Sequence, residues 1–245
     1  MRIAILDDEA ADIQRITTVL GDLSARDDEV PWSLHTFQQG EELLKQLKRE
    51  TFDLLILDWQ VPDLSGVAIL DWTRRYLDKP PPVIMVTSRN AEEDIVQALT
   101  SGADDYVSKP FRPLEFKARV RTVLRRYGWS GELESKEQQA FGSLLFDDAE
   151  QKITRDGVHI PLTDREYRLA RCLFNNLGRP LSREYLYERF WPHEEVYSSR
   201  PLDTHIYRLR HKLDLTAEHG WRLATIYGYG YRLEQVEQGQ AESGD

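Results

Sequence analysis

The stretch Phe52-Asp53-Leu54-Leu55-Ile56-Leu57-Asp58 constrains this chain more than any other. Its apolar run is too short for a helical period and predicts a strand buried on both faces. The run stops at a carboxylate, Asp58, and Pro62 shortly after cannot continue a central strand. Asp58 therefore marks the passage from buried strand to loop, and in open α/β sheets ligands bind at that edge. Three other stretches repeat the pattern. Arg2 to Leu6 runs into Asp7, Asp8 and Glu9, Val83 to Val86 into Thr87, and Asp105 to Ser108 into Lys109-Pro110. Parallel strands would gather Asp7, Asp8, Asp58, Thr87 and Lys109 at one edge. Three close carboxylates need a counter-charge. Mg²⁺, a hard cation with oxygen ligands, supplies one and leaves positions for water and phosphate oxygens.

The first 126 residues alternate strand and helix. A helix is predicted near residues 10–22, a strand at Trp32–Phe37, and a helix from Gly40 to Lys48 with Leu43, Leu44 and Leu47 on one face. A further helix is predicted over Ser65–Tyr76 with Val67, Leu70 and Trp72 toward the sheet. Another covers 91–101, closed by Gly102, and a last one runs from Leu114 to Arg126. Five strand–helix repeats predict a doubly wound five-stranded parallel sheet. The polar stretch Gly21–Pro31 reads as a surface loop.

Residues 127–139 lack periodicity and read as a linker. Beyond them the grammar changes. Phe141–Phe146, Lys152–Arg155 and Val158–Ile160 are predicted strands joined by Asp-Asp and Asp-Gly turns. Thr163 and Glu166 form a capping box opening a helix with Leu169, Ala170, Leu173, Phe174 and Leu177 at helical spacing. Ser182 caps a second short helix through Phe190, a third spans about Pro201 to Leu213, and a hairpin with the tip Gly228-Tyr229-Gly230 closes the domain at residue 233. Residues 234–245 are an acidic tail.

The net charge of −10 argues against a nonspecific nucleic-acid coat. It is uneven: residues 1–126 carry −5, residues 140–233 carry +1, and 200–212 alone carry +3. One cysteine, Cys172, excludes an internal disulfide and a cysteine-based zinc cluster. No apolar run approaches the roughly 20 residues of a membrane span. The start does not read as a signal peptide, so a cytoplasmic protein is expected.

The acid and lysine positions, with Asp-Trp-Gln-Val-Pro and Lys-Pro-Phe as local signatures, resemble the receiver domain of bacterial response regulators, which is flavodoxin-like. Thr-Asp-Arg-Glu-Tyr, Leu-Ser-Arg-Glu-Tyr-Leu and Gly-Tyr-Gly-Tyr-Arg resemble the winged-helix effector domain of the OmpR/PhoB family, a smaller α+β unit. Together they imply a receiver over 1–126, a linker, a winged-helix DNA-binding domain over 140–233 and the tail. The resemblance implies a two-component transcription regulator rather than an enzyme. A sensor histidine kinase would phosphorylate Asp58; Asp8, Asp58 and the carbonyl of Gln60 would hold Mg²⁺, with Asp7 acting through water. Thr87, Lys109 and Tyr106 would read the phosphoryl group. The implied partners are promoter DNA, RNA polymerase and a second copy of the chain, which would pair through Asp104, Asp105, Glu115, Arg119 and Arg121. Ile95 and Thr100 stand where a basic and an acidic partner are usual, so that face is expected to be weaker or more apolar.

In the third helix of the second half, Leu202, Ile206, Leu209 and Leu213 repeat as a core face. Thr204, Tyr207, Arg208 and His211 lie opposite, flanked by His205 and Arg210, with Arg200 at the start. Such a basic helix has the width of the DNA major groove. The resemblance implies that Arg208 reaches base edges while Arg210 and His205 hold phosphates. Tyr227 occupies the hairpin position where an arginine commonly enters the minor groove. Two rival readings remain open. One is a Mg²⁺-dependent aspartyl-phosphate phosphohydrolase, disfavoured because Gln60 stands where its general acid would be. The other is a regulator that binds DNA without phosphorylation.

Overall fold

A computed structural model describes residues 1–27, 32–128, 138–191 and 200–236. Residues 28–31, most of the predicted linker (129–137), residues 192–199, the tail from 237 onward and the side chains of residues 25–27 and Arg200 lie outside the described part. The chain divides into two units, Met1–Leu133 and Glu134–Asp245.

The first unit runs β1 (Arg2–Leu6), α1 (Ala10–Asp27), β2 (Ser33–Phe37), α2 (Gly40–Leu47), β3 (Leu54–Leu57), α3 (Gly66–Tyr76), β4 (Val83–Thr87), α4 (Glu92–Thr100), β5 (Asp105–Ser108) and α5 (Pro113–Arg126). All strands pair in parallel in the order β2-β1-β3-β4-β5. The period of two along β3 divides its side chains between two cores. Leu55 and Leu57 join Leu43, Leu47, Ile69 and Leu70 from α2 and α3, while Leu54 and Ile56 join Ile16, Leu20, Phe116 and Val120 from α1 and α5. Every residue of β3 is fully buried, which explains an apolar run without alternation.

Two expectations for this unit need correction. Gly21 to Asp27, read as loop, continues α1. The apolar stripe Ile16, Val19, Leu20, Leu23 runs on into that segment, and its packing outweighs the roughly 1 kcal/mol helix penalty of Gly21. In α3 the sheet-facing residues include Ile69, while Trp72 sits half-buried at the rim, stacked on Tyr76 with the Lys48 ammonium over its ring.

The second unit begins with an antiparallel sheet of β6 (Gln138–Phe141), β7 (Leu144–Asp147), β8 (Lys152–Arg155) and β9 (Val158–Ile160). Phe141–Phe146, predicted as one strand, is a hairpin. Gly142, at φ 58°, turns the chain where other residues resist the left-handed region. Then come α6 (Asp164–Asn175), β10 (Leu181–Ser182), α7 (Arg183–Phe190), α8 (Arg200–Lys212), a 3-10 turn (Ala217–His219), β11 (Trp221–Ile226) and β12 (Gly230–Gln235). Thr163 Oγ1 accepts from the Glu166 amide and Glu166 accepts from the Thr163 amide, so the capping box is complete. The two-residue β10, too short to show a pattern, pairs with β12, and β12 with β11. One core, including Phe146, Leu169, Phe174, Leu202, Ile206, Leu209, Trp221 and Leu233, joins sheets and helices.

Candidate functional site

The parallel sheet delivers the predicted side chains to one edge. Asp7 follows β1, Asp58 follows β3, Thr87 ends β4 and Lys109 follows β5. Asp7, Asp8 and Asp58 each offer a carboxylate oxygen within 4.8 Å of the others, with Asp7 and Asp58 buried and Asp8 exposed. Lys109 Nζ donates to Asp7 Oδ2 at 2.7 Å and Asp58 Oδ2 at 2.8 Å, and forms an ion pair with Asp12 Oδ2 at 2.8 Å. Its peptide bond to Pro110 is cis. Burial alone would depress the lysine, but hydrogen bonds to Asp12, Asp58 and Asp7 outweigh it and hold the ammonium well above its ordinary pKa. Burial pushes the Asp7 carboxyl up despite Lys109. Three carboxylates thus share one ammonium, with Asp8 a fourth acid beside them. A cluster of hard oxygen donors with surplus negative charge, open to water on the Asp8 side, fits a divalent cation of the Mg²⁺ type.

The loop after Asp58 is fixed by close packing. A Cβ on Gly66 would lie 2.0 Å from the Asp58 carbonyl oxygen, so only glycine lets α3 begin against the end of β3. Asp63 accepts from the Gly40 and Glu41 amides, fastening the loop to the start of α2; those amides hold its carboxyl below the usual range. The Gln60 amide donates to Asp58 Oδ1 at 3.3 Å, directing the acid toward the opening. An open cleft lined by Asp8, Trp59, Gln60, Val61, Pro62, Ser65 and Arg89 borders the acids.

Thr87 is buried, and its Oγ1 accepts from the Arg89 amide at 3.4 Å. Tyr106, two residues before Ser108 ends β5, is also buried and donates its hydroxyl proton to the Arg89 carbonyl. Burial, reinforced by Asp94, raises its pKa. The Arg89 guanidinium lies 4.9 Å from the Trp59 ring and pairs with Asp94 at 3.0 Å. Thr87 and Tyr106 therefore meet at the Arg89 backbone.

In the second unit Leu202, Ile206 and Leu209 of α8 and Leu213 just after it are buried, and Thr204, Tyr207, Arg208 and His211 are exposed on the other side. The Tyr207 and His211 rings pack at 4.4 Å. His205 and Arg210 are partly buried and engaged within the domain. His205 Nδ1 lies 2.7 Å from the Pro201 carbonyl, and its ring packs on Trp191. Arg210 donates to the Leu223 carbonyl at 3.0 and 2.7 Å and to Thr225 Oγ1 at 2.9 Å, tying α8 to β11. Tyr227, at the tip of the β11–β12 hairpin, is fully exposed.

The protein-family models that match are "Response regulator receiver domain" over residues 3–121 and "Transcriptional regulatory protein, C terminal" over 157–233. The transcriptional regulatory protein AfsQ1 of Streptomyces coelicolor is 38% identical over 199 residues, covering 81% of this chain and 86% of AfsQ1. ResD of Bacillus subtilis, also a transcriptional regulatory protein, is 31% identical over 238 residues, with 95% of each chain covered. This chain belongs to the OmpR/PhoB family of response regulators. The solved structure of DrrB from Thermotoga maritima, an OmpR/PhoB homologue, is 30% identical over 95% of this chain and 98% of that one, with a TM-score of 0.42.

For a response regulator of this family, the α4–β5–α5 face is more committed within the domain than its charges suggest. Arg119 donates to Asp105 at 3.0 Å and to Glu115 at 3.0 and 2.9 Å, which hold its guanidinium above its usual pKa, Glu115 first. Asp104 accepts from Arg74 at 2.9 Å, the Val83 amide at 2.7 Å and the Tyr127 hydroxyl at 2.8 Å. Arg121 is exposed. Sequence reasoning missed Asp12 and Asp63 at the acidic edge. Asp12 resembles an ordinary acid in the first turn of a helix, and Asp63 an ordinary loop acid. No helix among the described residues is long and apolar enough to cross a membrane.

Proposed function

We propose that this response regulator is a phosphorylation-controlled DNA-binding protein with Asp58 as its phosphoacceptor. The observation that carries the reading is the Lys109 ammonium 2.8 Å from the Asp58 carboxylate, within a cluster of further acids. An oxygen of Asp58 attacks the phosphorus of a phosphohistidine on a sensor kinase. The new O–P bond forms as the P–N bond breaks, and the bonding pair returns to the imidazole nitrogen. Lys109 balances charge on the equatorial oxygens. Asp8, Asp58 and the Gln60 carbonyl would hold Mg²⁺, with Asp7 acting on it through water, and the metal would supply charge neutralisation to the transferring group. Thr87 then donates its hydroxyl proton to a phosphoryl oxygen. Its movement couples to Tyr106 through their shared contact with Arg89, biasing a two-state element.

The receiver spans residues 1–126 and the DNA-binding domain 140–233 in this reading, joined by the 127–139 linker. Phosphorylation favours a homodimer through Asp105, Glu115, Arg119 and Arg121, with Asp104 bracing that face from within. The winged helix then binds promoter DNA in the cytoplasm, where RNA polymerase is the further partner. Arg208 reads base edges, Thr204, Tyr207 and His211 line the same face, Arg200 stands at its start, and Tyr227 lies against the sugar-phosphate backbone. Arg210 and His205 approach phosphates while bracing the helix.

Incubation with acetyl phosphate and Mg²⁺, followed by intact-mass measurement, tests the reading. The expected result is one added phosphoryl group that persists, with acetate released. Continuous turnover would indicate a hydrolase, and no adduct would indicate a regulator that works without phosphate.

A further inference from the structure

An ammonium has three N–H donors and no more. Lys109 donates two of them, to Asp7 at 2.7 Å and Asp58 at 2.8 Å, and Asp12 stands 2.8 Å from the same nitrogen as a third ion-pair partner. Two of those acids belong to the cluster that could hold a metal, but Asp12 does not. It comes from the first turn of α1, where its amide is bonded to the Glu9 carbonyl. The Asp12 carboxylate is 23% exposed, against 1% for Asp7 and 9% for Asp58, so it approaches the lysine from the solvent side. No step of phosphoryl transfer uses it.

We propose that Asp12 is a positioning residue that draws part of the Lys109 charge from the phosphoryl group and lends negative charge to the cation site. This inference rests on Asp58 being the phosphoacceptor. In the resting site Lys109 is paired with three carboxylates. When Asp58 is phosphorylated, the lysine exchanges its Asp58 contact for a phosphoryl oxygen while it stays bonded to Asp7 and paired with Asp12. Asp12 shares the charge that would otherwise go to the incoming phosphoryl group, and adds one anion beside an entering anion. The same carboxylate acts oppositely on a metal. It attracts a divalent cation, and it draws Lys109 partly off Asp7 and Asp58, leaving their oxygens freer to bind one. Asp12 therefore favours cation binding and slows phosphoryl uptake.

That opposition separates Asp12 from a residue that merely supports the fold. Asp12→Asn keeps an acceptor oxygen and removes the charge; Asp12→Glu keeps the charge. Calorimetric titration of the full chain with MgCl₂ alone reads the first effect. The rate of acetyl phosphate uptake at saturating Mg²⁺, followed by intact mass, reads the second. Asp12→Asn is expected to bind Mg²⁺ about two- to fivefold more weakly, the size of one partly exposed charge, and to take up phosphate faster. Asp12→Glu should return both values toward wild type. Unchanged Mg²⁺ affinity, or a phosphorylation rate that stays level or falls, overturns the proposal. Should wild type take no phosphate, the reading of Asp58 fails by itself, and the Mg²⁺ titration still decides what Asp12 does.

Discussion

Asp58 and Lys109 are the residues whose substitution separates chemistry from structure. Asp58 sits beyond the end of β3, bonded to the Gln60 amide and Lys109 rather than to apolar core side chains. Asp58→Asn is expected to abolish phosphate uptake while leaving the melting temperature near or above wild type, because it removes one of four crowded negative charges. Equal incorporation by the mutant, read by intact mass, would reject Asp58 as acceptor. Lys109→Ala acts in the other direction. It leaves Asp7, Asp12 and Asp58 without their shared cation, and stripping the partner from buried charges costs about 3–5 kcal/mol. The loss should be largest without metal and mostly restored by millimolar Mg²⁺ in thermal melts, and the mutant should accept phosphate slowly without switching. A melting temperature insensitive to Mg²⁺ would contradict the charge argument. Asp7, Asp58, Thr87 and Lys109 were legible in the sequence because each ends a recognisable strand. Asp12 was not, since its contact with Lys109 depends on how α1 is seated and leaves no periodic trace.

At the scale of elements, legibility followed burial. β3 could be read because burial on both faces leaves an unbroken apolar run, and α8 because Leu202, Ile206 and Leu209 repeat along it and Leu213 continues the stripe just past its end. α1 ran past its predicted end because Gly21 and the polar residues after it read as loop, whereas Leu23 continued the buried stripe. The β6–β7 hairpin was hidden for a similar reason: Phe141 and Leu144 to Phe146 look continuous until Gly142 adopts its left-handed conformation. The capping box of α6 was visible residue by residue, but not that Glu166 is buried and also accepts from Lys212 at 2.8 Å. Burial would raise the Glu166 carboxyl, yet Lys212 and the Thr163 amide outweigh it and hold the pKa below its ordinary value. The sign follows. A carboxyl depressed on folding stabilises the domain above its unfolded pKa, and that contribution is lost as pH falls through the folded pKa. Thr163→Ala should cost about 1 kcal/mol by denaturant melting at neutral pH. Glu166→Gln should flatten the acid limb of the stability profile below pH ~4.5. An unchanged acid limb would remove Glu166 from the account of acid stability.

At the scale of the whole molecule, the proposed function links a receiver dimer to a DNA-reading surface through coupled equilibria. Arg119 is already paired with Asp105 and Glu115 in one chain, so an intermolecular pair must compete with an existing one. Exposed pairs contribute only about 0–1 kcal/mol. The dimer should therefore lean on the exposed apolar residues Val96, Leu99 and Leu114 of α4 and α5 as well as on charge. Arg119→Glu should weaken phosphorylation-dependent association in sedimentation chiefly by repulsion, and a further Asp105→Arg change should recover part of it. No change in sedimentation of the wild type on phosphorylation would count against the dimer.

The DNA surface gives the sharpest whole-molecule test, because its two parts make different demands on salt. Arg208 projects from the exposed face of α8, so a contact with a base edge would be specific. Its loss should cost about 1–3 kcal/mol on an operator and relax one position of the site. Tyr227 is fully exposed at the hairpin tip and carries no charge at neutral pH. It can pack on sugar or backbone, but it cannot neutralise a phosphate or exploit the negative potential of a narrow minor groove. Binding should thus depend more on α8 than on groove shape. Tyr227→Arg adds one cation at the tip, which should strengthen binding to operator and scrambled duplex alike. It should also steepen the dependence of log affinity on log salt by at most about one unit. Arg208→Ala, by contrast, should weaken operator binding more than scrambled binding. Parallel salt series on both duplexes separate the two effects. If Tyr227→Arg changes neither affinity nor slope, the hairpin does not approach DNA, and recognition falls to α8 alone.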